Sequence, residues 1–128
     1  VYRTGQAQRY CAMEFQRVFM QVNKYIYYVG ASDEFRLLAK GLEKGSVVII
    51  ISLSGDLKKI KDIVQMMKLR DVKVISLTNF QNNELAALAD HRLYAVSSDI
   101  PIGENLIHSS FVNFFVVIEY LFRKYLEL

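Results

Sequence analysis

Two spacings of apolar residues alternate along the chain, one helical and one alternating, and they lay out its elements. Residues 6–23 carry Tyr10, Met13, Phe15, Val18, Phe19 and Val22 at helical spacing, between Gln8, Glu14, Gln16 and Arg17. Residues 24–29 are a Tyr/Ile/Val run of strand type, closed by Gly30. Ser32 or Asp33 caps the next helix, which turns Phe35, Leu38 and Leu42 inward and ends at Gly45. Val47–Ile51 is unbroken valine and isoleucine, the pattern of a central strand covered on both faces. Residues 56–69 read as a helix with Leu57, Ile60, Val64 and Met67 on one stripe and lysines opposite. A buried strand follows at 72–77, a polar loop at 78–83, a short helix at 84–89 and a less apolar strand at 92–96. Residues 97–103 form a loop holding Pro101, the one proline, and residues 104–126 read as a long apolar helix.

Strands alternating with helices predict an α/β fold. The expected architecture is a three-layer αβα sandwich around a parallel sheet of about five strands, flavodoxin-like, with right-handed crossovers. Four strands lie within the chain, and a fifth would end at Val1-Tyr2. A length of 128 residues suits one domain spanning 1–128. The chain opens at Val1-Tyr2 without an initiator methionine or a helix cap, so the expectation is a fragment of a longer protein.

Composition narrows the classes. Hydrophobic residues make up 52% and charged residues 23%, which predicts a buried core rather than disorder. The net charge of +3 permits an acidic partner without demanding one, and Lys58, Lys59 and Lys61 read as a solvated helix face. Cys11 is the sole cysteine, so no intrachain disulfide forms, which fits the cytoplasm. With two histidines and one cysteine, no metal site is expected. The longest apolar segment, 111–122, is broken by Asn113 and Glu119 and is too short to span a bilayer of about 30 Å.

Candidate chemistry gathers where strands end. In open parallel sheets, ligands sit at the carboxyl ends of the strands. There the chain places Arg3-Thr4-Gly5-Gln6-Ala7, Ser52-Leu53-Ser54-Gly55 and Ser76-Leu77-Thr78-Asn79. Gly55 allows close backbone approach and positive φ. A helix from Asp56 would aim free N–H groups and a positive dipole end at the turn, which favours phosphate. Ser52 and Ser54 add hydroxyls, and Thr78 could add a third. The same Ser-Gly-Asp turn is also ordinary capping chemistry.

The stretch from "VVIIISLSGD" through "VISLTN" to "LAALAD" and its closing strand resembles the sugar isomerase (SIS) domain over residues 2–122. The carriers are Ser52, Ser54 and Gly55 after one strand, Ser76-Leu77-Thr78 after the next, and the turn of Leu85, Ala86, Leu88, Ala89 and Asp90. Residues 110–122 resemble the last helix of the effector domain of RpiR/MurR-type transcriptional regulators. The resemblance implies a phosphosugar sensor without catalytic residues or a cofactor. It also implies that a helix-turn-helix domain, outside these residues, binds DNA, and that dimerisation relays the signal. The last, C-terminal helix is the expected surface for pairing with a second copy, because Leu106, Ile107, Phe111, Phe114, Phe115, Ile118, Leu121 and Phe122 make it apolar on more than one side. The implied phosphosugar-binding residues are Ser52, Ser54, Gly55, Thr78, Gly5 and Arg3.

The chain departs from the family pattern at named positions. Leu57 stands where the family has a threonine, Arg3 where it has its first glycine, Ala7 where it has a serine, and Ser110-Phe111 where it has Ser-Arg. Each lost hydrogen bond to an anion is worth roughly 1.5–3 kcal/mol, so the site is either weakened or retuned. Two other functions stay open. One is a sugar-phosphate isomerase using Glu104, His108 or Glu84 as base. The other is a vestigial site in a domain that serves to dimerise.

Overall fold

The computed structural model describes residues 2–3 and 6–128. The chain runs β1 (Tyr2–Arg3), α1 (Gln6–Met20), α2 (Ser32–Lys40), β2 (Val47–Ile51), α3 (Lys61–Leu69), β3 (Lys73–Asn79), α4 (Glu84–Leu88), β4 (His91–Ala95), β5 (Asp99–Gly103), β6 (Leu106–Ser109) and α5 (Val112–Leu126). β1 to β4 form one parallel sheet in the order β1-β2-β3-β4.

Helices cover both faces of this sheet, because strand side chains alternate and both sets are apolar. On one face, Val48, Ile50 and Val74 pack against Phe35 and Ala39 of α2, Ile63, Val64 and Met67 of α3, and Leu85 of α4. On the other, Ile51, Leu77 and Ala95 pack against Cys11, Ala12, Phe15 and Val18 of α1 and Phe114 and Ile118 of α5. The fold is thus a three-layer α/β sandwich. Burial also pushes the Cys11 thiol up to about 12, so this cysteine is a packing residue rather than a nucleophile.

Three sequence expectations are corrected here. The parallel sheet has four strands rather than five, because residues 24–29 contribute only a single bridge at Val29. Their alternation is real, since Ile26 and Tyr28 pack on the second core while Tyr25 and Tyr27 face outward. One backbone group of the run is taken by a side chain, with Gln16 Nε2 donating to the Ile26 carbonyl at 2.9 Å. Residues 104–109 are not helical. Asn105, at φ 60°, turns the chain between antiparallel β5 and β6. Asparagine tolerates that left-handed conformation better than most residues. The Ser109 hydroxyl donates to Asp99 at 2.8 Å and closes the hairpin's open end. The last helix therefore starts at Val112. Finally, α3 starts at Lys61 rather than Asp56, for reasons that belong to the site.

Candidate ligand-binding site

The turn after β2 is built by its own side chains. Ser52 Oγ accepts from the Gly55 N–H at 3.0 Å, Ser54 Oγ from the Asp56 N–H at 3.3 Å, and Asp56 Oδ1 from the Lys58 N–H at 2.9 Å. These short-range bonds compete with helix formation and hold residues 52–58 in turn geometry. Regular helix begins only once Leu57, fully buried in the first core, has anchored the chain and its carbonyl has accepted from Lys61 N at 2.9 Å. The N–H groups of Gly55 and Asp56 are thus already taken. What remains for a ligand is hydroxyl chemistry. A serine whose oxygen accepts from an N–H still has its own proton to donate. Ser54 is exposed and can offer that proton to solvent, whereas Ser52 is 1% exposed and acts from below.

Gly55 is required at its position for two reasons. Its φ is +71°, and a Cβ there would lie 2.2 Å from Asn83 Oδ1. Asn83 is the hub that joins this turn to the next. Its Oδ1 caps α4 by accepting from Ala86 N at 2.7 Å, and its Nδ2 donates to Thr78 Oγ1 and the Gln81 carbonyl, each at 3.0 Å. Thr78 is fully buried and donates in turn to the Asn79 carbonyl at 3.1 Å. Further bonds lace the loops together: Asn79 N to Leu53 O at 3.1 Å, Leu85 N to Gly55 O at 3.1 Å, and Gln81 Nε2 to Ser54 O at 3.4 Å. Asn79 Oδ1 accepts from Ser97 N at 3.1 Å and so ties in the end of β4.

Ser52, Ser54, Gly55 and Thr78 therefore belong to one hydrogen-bonded unit at the carboxyl ends of β2 and β3. Ser54 faces water, while Thr78 orders Asn83. Arg3 lies at the end of β1, in parallel register with Ile51. Gly5 lies outside the described residues. Ala7 sits in the first turn of α1. Asn83 was not singled out from sequence, where it fell in a polar loop, and Asn79 was named only as the end of the segment that follows the second buried strand. The available signal was an asparagine directly before Glu84, at a helix start. All three candidate bases are exposed: Glu104 and His108 on the β5–β6 hairpin, and Glu84 at the start of α4, directly after Asn83, where it pairs with Lys61 at 3.5 Å. Among the described residues, no group of three His, Cys, Asp or Glu is placed to hold a metal, and no helix is long and apolar enough to cross a membrane.

A parallel sheet sandwiched by helices, with a Ser-x-Ser-Gly turn at the carboxyl end of the inner strand β2, defines a three-layer α/β domain. The SIS domain family matches residues 3–124, and the chain belongs to it. The HTH-type transcriptional regulator GlvR of Bacillus subtilis is 35% identical over 127 residues, covering 99% of this chain and 50% of its own length. RpiR of Escherichia coli, also an HTH-type transcriptional regulator, is 24% identical over 106 residues, covering 82% of this chain and 36% of its own. The chain thus spans about half or less of the regulators it matches. Among solved structures, the NanR protein of Vibrio vulnificus complexed with ManNAc-6P superposes with a TM-score of 0.80 at 20% identity, over 98% of this chain and 47% of that one. The sugar isomerase domain of an RpiR transcription factor from Sphaerobacter thermophilus gives 0.77 at 17% identity, over 96% and 65%. These two likenesses establish the fold.

Proposed function

We propose that this chain is the phosphosugar-binding effector domain of a bacterial transcriptional regulator of sugar metabolism. The observation that carries the reading is the exposed Ser54 hydroxyl on the Gly55 turn, backed by Ser52 and braced by Asn83. Similarity to HTH-type regulators supports a sensor rather than an enzyme, with DNA bound by a domain outside these residues in the cytoplasm. Turnover of an aldose or ketose phosphate by the purified chain would overturn it.

A thermal-shift screen against hexose, pentose and amino-sugar phosphates, with inorganic phosphate as control, tests the reading. A ligand at 100 times its Kd should add about 2.7 kcal/mol of stability. Ser54→Ala should abolish that shift and cost the unliganded chain no more than about 1 kcal/mol, because Ser54 is exposed and loses only its bond from the Asp56 N–H. A second reading, a vestigial site in a dimerising domain, draws on Leu57. Its side chain is fully buried in the core, so it offers the turn nothing in place of a hydroxyl. No shift at millimolar ligand would favour it.

A further inference from the structure

The serine turn is flanked by a second, chemically different feature. Phe80, Gln81, Asn82 and Tyr94 line an open pocket of about 290 Å³, close to the lower size of small-molecule sites, roughly 300 Å³. Phe80 directly follows β3 and is 71% exposed. Tyr94 is half-buried on β4, where register pairs it with Thr78, so both side chains leave the same face of the sheet. The two rings meet edge to face, with centroids 5.3 Å apart at 84°. An edge-to-face pair uses a face of one ring and leaves faces of both open, so the two rings form a corner. Gln81 belongs to this corner and to the serine turn at once, since it lines the pocket and donates to the Ser54 carbonyl at 3.4 Å.

A single exposed phenylalanine needs no explanation. Two joined rings with two side-chain amides, laced to a turn of hydroxyls, make a specific combination. The aromatic face is electron-rich and attracts weakly positive C–H groups. A closed sugar ring presents such C–H groups in a flat array on one side and hydroxyls around its rim. The amides of Gln81 and Asn82 each offer a donor and an acceptor to those hydroxyls. An open-chain sugar presents no flat C–H face.

We propose that Phe80 and Tyr94 determine specificity by taking the C–H face of a ring-closed sugar whose phosphate is held at the Ser54–Gly55 turn. This rests on the phosphosugar reading above and adds the ring form of the ligand to it.

Calorimetric titration of the 128-residue chain tests the proposal with defined probes. These are inorganic phosphate, the ring-locked 1,5-anhydroglucitol and 1,5-anhydromannitol 6-phosphates, and the open-chain glucitol and mannitol 6-phosphates. At least one ring-locked probe should bind about tenfold tighter than its open-chain partner. Phe80→Ala should erase that preference while leaving the melting temperature and the response to inorganic phosphate unchanged. Phe80→Tyr should restore it. Equal binding of ring-locked and open-chain probes, or a preference that survives Phe80→Ala, overturns the proposal. If Ser54→Ala abolishes binding of every probe and Phe80→Ala alters none, the aromatic corner alone is refuted and the phosphosugar reading stands. If none of these probes and no phosphosugar of the thermal-shift screen binds the wild-type chain, the phosphosugar reading has failed and the aromatic corner with it.

Discussion

At the scale of single residues, two left-handed glycines among the described residues separate strain from steric exclusion. Gly45, at φ +91°, has nothing within 4 Å of a built Cβ, whereas Gly55, at φ +71°, has Asn83 in the way. Gly45→Ala should therefore cost only the left-handed penalty, about 1–2 kcal/mol. Gly55→Ala adds displacement of the residue that caps α4, and loss of such a cap is itself worth about 1 kcal/mol. Urea unfolding of the two variants should show Gly55→Ala as the less stable. Comparable losses would mean that the contact of Gly55 with Asn83 relaxes freely. The requirement for glycine at 55 was legible in the Ser-Gly-Asp motif. The reason for it was not, because Asn83 lies 28 positions along the chain and nothing local says that it folds back.

At the scale of elements, α2 and α3 lie on the same face of the sheet and are linked by a surface ion pair. The Arg36 guanidinium donates to the Asp62 carboxylate and, at 3.3 Å, to the Lys59 carbonyl. The hydrogen bond from Arg36, with its charge as a lesser contribution, holds the Asp62 carboxyl below its ordinary value of 3.8. A carboxyl depressed in the folded state contributes stability that is fully present above its unfolded value and is lost as pH falls through the lower folded one. The contribution should therefore disappear below about pH 4. Both side chains are well exposed, at 42% and 67%, so salt screens the pair. In urea titrations from pH 6 to about pH 2, Asp62→Asn should lose stability less steeply on the acid side than wild type. The difference should shrink in molar salt. Parallel acid limbs would show that the pair contributes nothing to the docking of α2 on α3. The stripes on both helices could be read in advance, since periodicity reports which face is inward. The start of α3 could not, because three side-chain turns delay it by five residues.

At the scale of the whole molecule, the last helix carries more apolar surface than the sheet can cover. Phe114 and Ile118 face the core, while Val112, Val116 and Tyr120 form an exposed stripe at successive turns on the other side. We take this stripe as the place where a second copy packs. Sedimentation at micromolar concentration should give a dimer, and Val116→Glu with Tyr120→Glu should convert it to a folded monomer. Folding should survive because neither side chain belongs to the core. A monomeric wild-type chain would refute the pairing. The sequence had pointed to a helix apolar on several sides over 104–126. The fold divides that segment between the β5–β6 hairpin, where Leu106 and Ile107 are also exposed, and α5, which carries the stripe.

What depends on neighbours in the chain could be read from the residues: the alternating periods, the valine-isoleucine strand, the glycine-bearing turn at its end and hence the α/β sandwich. Local sterics and the removal of apolar side chains from water act over a few residues, so they leave a readable period. How the polar groups are shared out follows from the packed fold. It occupied the N–H groups of Gly55 and Asp56 with serine oxygens, buried Thr78 beneath Asn83, and left the Ser54 hydroxyl facing water. It also brought Phe80, just after β3, against Tyr94 of β4, and tied the neighbouring Gln81 to the Ser54 carbonyl. Hydrogen bonds and ring contacts of this kind depend on the direction of side chains from distant segments, and no period in the sequence encodes that direction.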